Sequence, residues 1–131
     1  TAARQVPFAK LDGLPLVLSR KPSSVRMMLD EMGRRNGVDI RVTVEADSGF
    51  IQKQMVVKRS GYTLLPWHFV AAEVERGELQ AAEIVEPSVV RIVSLMLTDR
   101  PTQAVKVVTA LLREIVSESL AQLDALPPEA T

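Results

Sequence analysis

An α/β fold with a mainly parallel sheet flanked by helices is predicted by three observations on the 131 residues. Short apolar runs alternate along the chain with segments of helical period, the pattern of strands joined by crossover helices. Capping residues stand in the short connections between them. In GYTLLPWHFVAAEV, residues 61–74, a strand-like run passes into a helix-like one with only Pro66 between them.

Each element follows from its residues. Residues 1–13, with Pro7 and Asp12-Gly13, read as an irregular lead-in, and residues 14–18 (LPLVL) as a short buried strand. Residues 19–24 (SRKPSS) form a loop with helix-capping chemistry. In the helix that follows, Val25, Met28, Leu29 and Met32 recur at helical spacing, Met27 sits at the edge of the stripe, and Gly37 ends it. Residues 38–46 (VDIRVTVEA) alternate apolar and polar, the period of a strand with one wetter face. Asp47-Ser48 is the next capping pair, and residues 50–59 suit a helix leading into Gly61, which fits a left-handed cap. Residues 62–65 mix aromatic, β-branched and aliphatic side chains as a buried strand does. Pro66 suits the first turn of a helix running to about Arg76, with Gly77 as its stop. Residues 79–85 (LQAAEIV) are a further strand, and residues 89–98 (VVRIVSLMLT) the most apolar one. Pro101-Thr102 opens a long helix with a wide stripe of Val105, Val108, Leu111, Leu112, Ile115, Val116 and Leu120. The end, DALPPEAT, carries two adjacent prolines and is expected to fray.

Composition narrows the function. Hydrophobic residues make up 47% and charged residues 24%, an ordinary soluble balance. Sixteen basic residues offset sixteen acidic ones, which speaks against a DNA-binding face in these residues. The chain has no cysteine, so disulfides and thiolate metal sites are excluded. No run reaches the length of a membrane span, no signal-peptide core is present, and a cytoplasmic location without membrane partners is expected.

Catalytic patterns are lacking: there is no GxGxxG, no GxxxxGK[ST] and no GxSxG. No catalytic residue, metal or cofactor is therefore expected, and the protein is not expected to be an enzyme. The lone histidine, His68, cannot make a multi-ligand zinc site and reads as a helix-start residue. Trp67 and the methionines at 27, 28 and 32 read as packing residues. In a parallel sheet ligands bind outside the C-terminal ends of strands, a place that SRKPSS and EADSGF both occupy. Ser19, Arg20, Lys21, Ser23 and Ser24 combine two cations with three hydroxyls ahead of a helix N-terminus. They could hold a carboxylate, sulfate or phosphate, or a serine merely caps the helix while the cations are solvated. Asp47 and Ser48 pose the same choice between capping and ligand contact.

Taken in order, LPLVLSRKPSSVRMMLDE, the strand end VEADS, the unit GYTLLP and the final apolar run and helix resemble the effector-binding domain of LysR-type transcriptional regulators, over residues 11–120. The resemblance implies a type II periplasmic-binding-protein-like fold, two α/β lobes with a small molecule between them. Residues 14–87 would be the second regulatory subdomain. Residues 88–123 would be the return strand and C-terminal helix of the first, and residues 124–131 a disordered tail. The winged helix-turn-helix and the first part of the first lobe would be missing, so DNA would be reached only through that missing N-terminal domain. The resemblance places effector contacts at Ser19, Arg20 and Ser48. Tyr62 stands where many members carry a smaller apolar residue, so it bears on pocket shape. The sequence thus predicts a sensor for a small, anionic effector that acts through a transcription regulator. An alternative is a solute-binding or protein-interaction domain of the same fold. Residues 88–120, apolar along strand and helix, are expected to pair with a second copy in a homo-oligomer.

Overall fold

A computed structural model of the chain describes residues 5–92 and 94–123. The expectations for Val93 and for the tail at 124–131 lie outside them, as does the side chain of Leu120. Two compact units divide the chain, the first ending at Arg91 and the second beginning at Ile92.

The first unit is α/β with parallel strand pairing throughout its described strands. Strand β1 (Gln5–Pro7) leads through a 3-10 turn (Phe8–Leu11) to β2 (Leu16–Leu18), α1 (Ser24–Asn36), β3 (Val42–Glu45), α2 (Gly49–Val57), α3 (Trp67–Glu75) and β4 (Glu83–Val85). β2 pairs in parallel with β3, and β1 in parallel with β4. On the other edge of β2, Tyr62 makes a single parallel bridge to Leu16: its N–H donates to the Pro15 carbonyl at 2.9 Å and its carbonyl accepts from Val17 at 2.8 Å. The strand expected over residues 62–65 is thus one bridge long.

Burial explains the centre. Leu16, Val17 and Leu18 are all buried, as an uninterrupted apolar run covered on both faces must be. Leu16 and Leu18 pack with Phe8, Leu11, Leu29 and Val38, and Val25, Met32, Ile40, Leu64 and Ile84 close around them. Met27, the residue placed at the edge of the α1 stripe, is 55% exposed. The reading of residues 1–13 as an irregular lead-in needs correction for its described part. Gln5–Pro7 is a strand, and the Phe8 side chain is fully buried. A three-residue strand holding one inward valine is too short to show a period, which is why it escaped.

Helix ends follow backbone chemistry, with one reassignment. Gly37 (φ 66°) and Gly77 (φ 73°) end α1 and α3 in the left-handed conformation, as their positions predict. Gly61 does not end α2. Arg59 does, at φ 60°, with Ser60 N–H donating to Met55 O and Arg59 N–H to Val56 O. Those paired bonds are a Schellman closure, which needs one left-handed residue, here not a glycine. Gly61 is required for space: a Cβ there would stand 2.4 Å from the Pro15 carbonyl oxygen. Gly49 likewise makes room for the Phe69 ring, 2.8 Å from where its Cβ would be. That close approach of α2 and α3 is reinforced by Lys53, which bonds Glu73 Oε1 at 2.6 Å and the Phe69 carbonyl at 2.9 Å.

In the second unit, α4 (Gln103–Leu123) begins where Thr102 accepts the Val105 N–H at its hydroxyl. Lys106, Thr109, Ala110 and Arg113 line a cleft with Leu97 and Pro101. The wide apolar face is turned away from that cleft: Val108, Leu111 and Ile115 are each more than half exposed. Residues 89–92 and 94–98 form no strand, contrary to expectation. A strand is stable only in a ladder, and the described residues offer this run no partner. Ile92 and Met96 are accordingly almost fully exposed.

Candidate functional site at the strand ends

Because β2, β3 and the Tyr62 bridge run in parallel, the residues that follow them lie at one edge of the sheet. Ser19 follows β2, Ala46 to Ser48 follow β3, and Thr63 follows Tyr62. The two loops singled out in the sequence therefore meet.

Arg20 and Asp47 join them. The Arg20 N–H donates to Asp47 Oδ1 at 3.0 Å, its Nε to Oδ2 at 2.8 Å, and a terminal guanidinium nitrogen lies 2.7 Å from Oδ2. Those side-chain and backbone bonds from Arg20 hold the Asp47 carboxyl below its ordinary 3.8, and Asp47 in turn raises Arg20. The pair is open to water, with side chains 68% and 52% exposed, so solvent screens it and it contributes little to stability.

Lys21 is also paired, its Nζ 2.7 Å from Asp30 Oδ2 in an ion contact rather than an aligned hydrogen bond. Arg26 shares Asp30, reaches Glu45 Oε1 at 3.1 Å and donates to the Ser19 carbonyl at 3.4 Å. Burial pushes the Asp30 carboxyl up, but the contacts with Lys21 and Arg26 outweigh it and leave it below the ordinary value. Arg20 and Lys21, read in the sequence as a free or solvated pair of cations, each have a carboxylate partner. Such partners 27 and nine positions away carry no local signature in the chain.

Ser23 and Ser48 occupy the N-cap positions of α1 and α2, yet neither side chain makes a capping bond. Thr102 in the second unit does. The first N–H groups of α1 and α2 therefore keep donor capacity at the strand-end edge, together with the positive end of each helix dipole. Arg20, Lys21, Pro22, Ser23 and Asp47 line a shallow cleft there that is largely open to solvent. Ser24 is the first residue of α1. Tyr62 is 55% exposed and enters the architecture through its backbone bridge. His68 is exposed at the start of α3, 6.0 Å edge-on from Phe69.

One residue here was missed in the sequence. Gln52, only 3% exposed, sends its amide into the junction of all three strand ends. Its Nε2 donates to the Ala46 carbonyl at 2.6 Å and to Ser19 Oγ at 3.2 Å, and its Oε1 accepts from Thr63 Oγ1 at 2.9 Å. The available signal was its spacing: Gln52 precedes Met55 and Val56 by three and four residues, a polar residue on the inward stripe of α2.

Among the described residues no helix is long and apolar enough to cross a membrane. No curated protein matches the chain. The family model described as LysR substrate binding domain matches residues 1–117. Members of that family are sensing parts of regulators rather than enzymes, and their fold is periplasmic-binding-protein-like, in agreement with the α/β architecture and parallel pairing here. By that match over most of its length, the chain belongs to the LysR substrate binding domain family and is an effector-binding module of a LysR-type transcription regulator.

Proposed function

We propose that the effector is a small metabolite bearing a carboxylate, bound at the strand-end cleft by the N-termini of α1 and α2. The observation that carries this reading is the pair of N-cap serines whose side chains leave the first-turn donors uncapped, beside the exposed Arg20–Asp47 pair. A carboxylate set there accepts from backbone N–H groups and from the Ser23 and Ser48 hydroxyls, and takes Arg20 from Asp47. Releasing Asp47 uncouples the loop before α1 from the loop before α2. That rearrangement is the signal, relayed in the cytoplasm to the N-terminal DNA-binding domain of the whole regulator. Residues 14–87 act as the second regulatory subdomain, and residues 88–123 complete the first.

Calorimetric titration and thermal shift with small organic acids test the site. Arg20→Ala and Ser48→Ala should each weaken binding about tenfold, the loss of one charge-assisted hydrogen bond. Unchanged affinity in both variants would place the ligand elsewhere.

The same reading includes self-association. Val108, Leu111 and Ile115 line one apolar face of α4, each more than half exposed, and faces of this kind mark interaction surfaces. This face is expected to bury itself against the same face of a second copy, giving a symmetric dimer. Light scattering after size exclusion decides this: a monomeric mass at micromolar concentration rules the dimer out.

A further inference from the structure

Residues 92 and 94–98 have the exposure pattern of a strand although they belong to no ladder. Leu95 and Leu97 are 48% and 44% exposed, whereas Ile92 and Met96 are 84% and 90% exposed. Leu95 and Leu97 thus lean toward their own unit, where Leu97 lines the cleft on α4, and Ile92 and Met96 point outward, the alternation of an extended chain. None of these residues makes a backbone hydrogen bond to another described residue, and no charge interrupts residues 92–98. An uncharged, β-prone run with unpaired N–H and C=O groups is an edge that folded proteins pair or cover. Its flanks carry opposite charges. Arg91 stands before it and Asp99 after it, both exposed, and among the described residues neither takes part in an ion pair.

We infer that this run forms its ladder with the same run of a second copy, antiparallel and centred on Leu95. The inference deepens the self-association reading of α4 given above and rests on it. A two-fold axis through a shared ladder makes identical strands antiparallel. Centring the pair on Leu95 sets Arg91 of each copy opposite Asp99 of the other, so each end of the ladder closes with an ion pair. Parallel pairing in register would instead oppose arginine to arginine and aspartate to aspartate, which cross-strand charges disfavour. The charges on the page therefore select both the partner, a second copy of this chain, and the register. Residues opposite one another share a face, so the two Leu95 side chains meet on the side turned to α4, and Met96 of one copy lies beside Ser94 of the other. One partner then covers both the strand edge and the apolar face of α4.

Charge reversal in the full chain tests the register, read as the monomer–dimer dissociation constant by analytical ultracentrifugation at low salt. Arg91→Asp and Asp99→Arg each set like charges opposite one another at both ends, and each should raise that constant about tenfold. A one-to-one mixture of the two variants restores opposite charges across both pairs, as does the double variant, and both should return to the parent value. Such rescue separates a contact across the dimer from a structural role of either side chain, which mixing cannot repair. In the parent dimer, alternate amides over residues 94–97 should exchange slowly, since an antiparallel ladder directs every second N–H at its mate. If the parent is dimeric and the single variants dimerise as tightly, or the mixture stays as weak as they are, the inference is overturned while the α4 dimer stands. Fast exchange at all of these amides in the dimer overturns it likewise. A monomeric parent removes the α4 dimer and this ladder together.

Discussion

Phe8→Ala is expected to cost about 3–5 kcal/mol of stability, a large share of the roughly 5–15 kcal/mol that holds a typical domain folded. The side chain is fully buried and packs in one cluster with Leu16, Leu18 and Leu29, so truncation leaves a cavity under the central strand. The neighbouring wall cannot collapse into it easily, since Leu16 and Val17 are fixed by ladder bonds to Arg41 and Tyr62. Urea unfolding followed by the fluorescence of Trp67, which lies in the same unit, measures the loss. Phe50→Ala is the control, because that ring is 63% exposed and its removal should change stability by less than about 0.5 kcal/mol. Similar midpoints for the two variants would mean that residues 5–11 do not cover the core.

Gly61→Ala should destabilise the fold by about 2–4 kcal/mol through a single methyl group. Two costs combine. The backbone there has φ 147°, a conformation that residues with a Cβ rarely take, and the new carbon would lie 2.4 Å from the Pro15 carbonyl oxygen. The obstacle is backbone, so relief requires Tyr62 to move off β2, with loss of the bonds at Pro15 and Val17. Gly13→Ala isolates the first cost, since Gly13 has φ 65° with nothing within 4 Å of its Cβ position, and about 1–2 kcal/mol is expected there. Hydrogen exchange at the Val17 amide should accelerate in Gly61→Ala and stay protected in Gly13→Ala. Equal losses in the two variants would show that contact with Pro15 carries no weight.

What the chain's own pattern determined is local. Periodicity and capping residues suffice for α1 with its Gly37 stop, for the buried run in β2, for the alternation in β3 and for the start of α4 after Pro101-Thr102, because each depends on neighbours within about one helical turn or a strand's length. Parallel order followed from the alternation of strands and helices, and with it the meeting of the two polar loops at one edge, since parallel strands place all their C-terminal ends together. The quoted motifs also resembled the right family. Tertiary structure alone decided which partner each group took. Arg20 and Lys21 are cations in any reading, but only the fold brings Asp47 and Asp30 to them. Gly61 and Arg59 are two positions apart. Which of them turns left-handed at the helix end depends on how closely residue 61 passes Pro15. Residues 89–98 are as strand-like as any in the chain, yet strandedness is a property of a pair, and the described residues supply no mate. Gln52 is the same lesson at the site, because its role lies in bonds to residues 6, 11 and 33 positions away that no local pattern encodes.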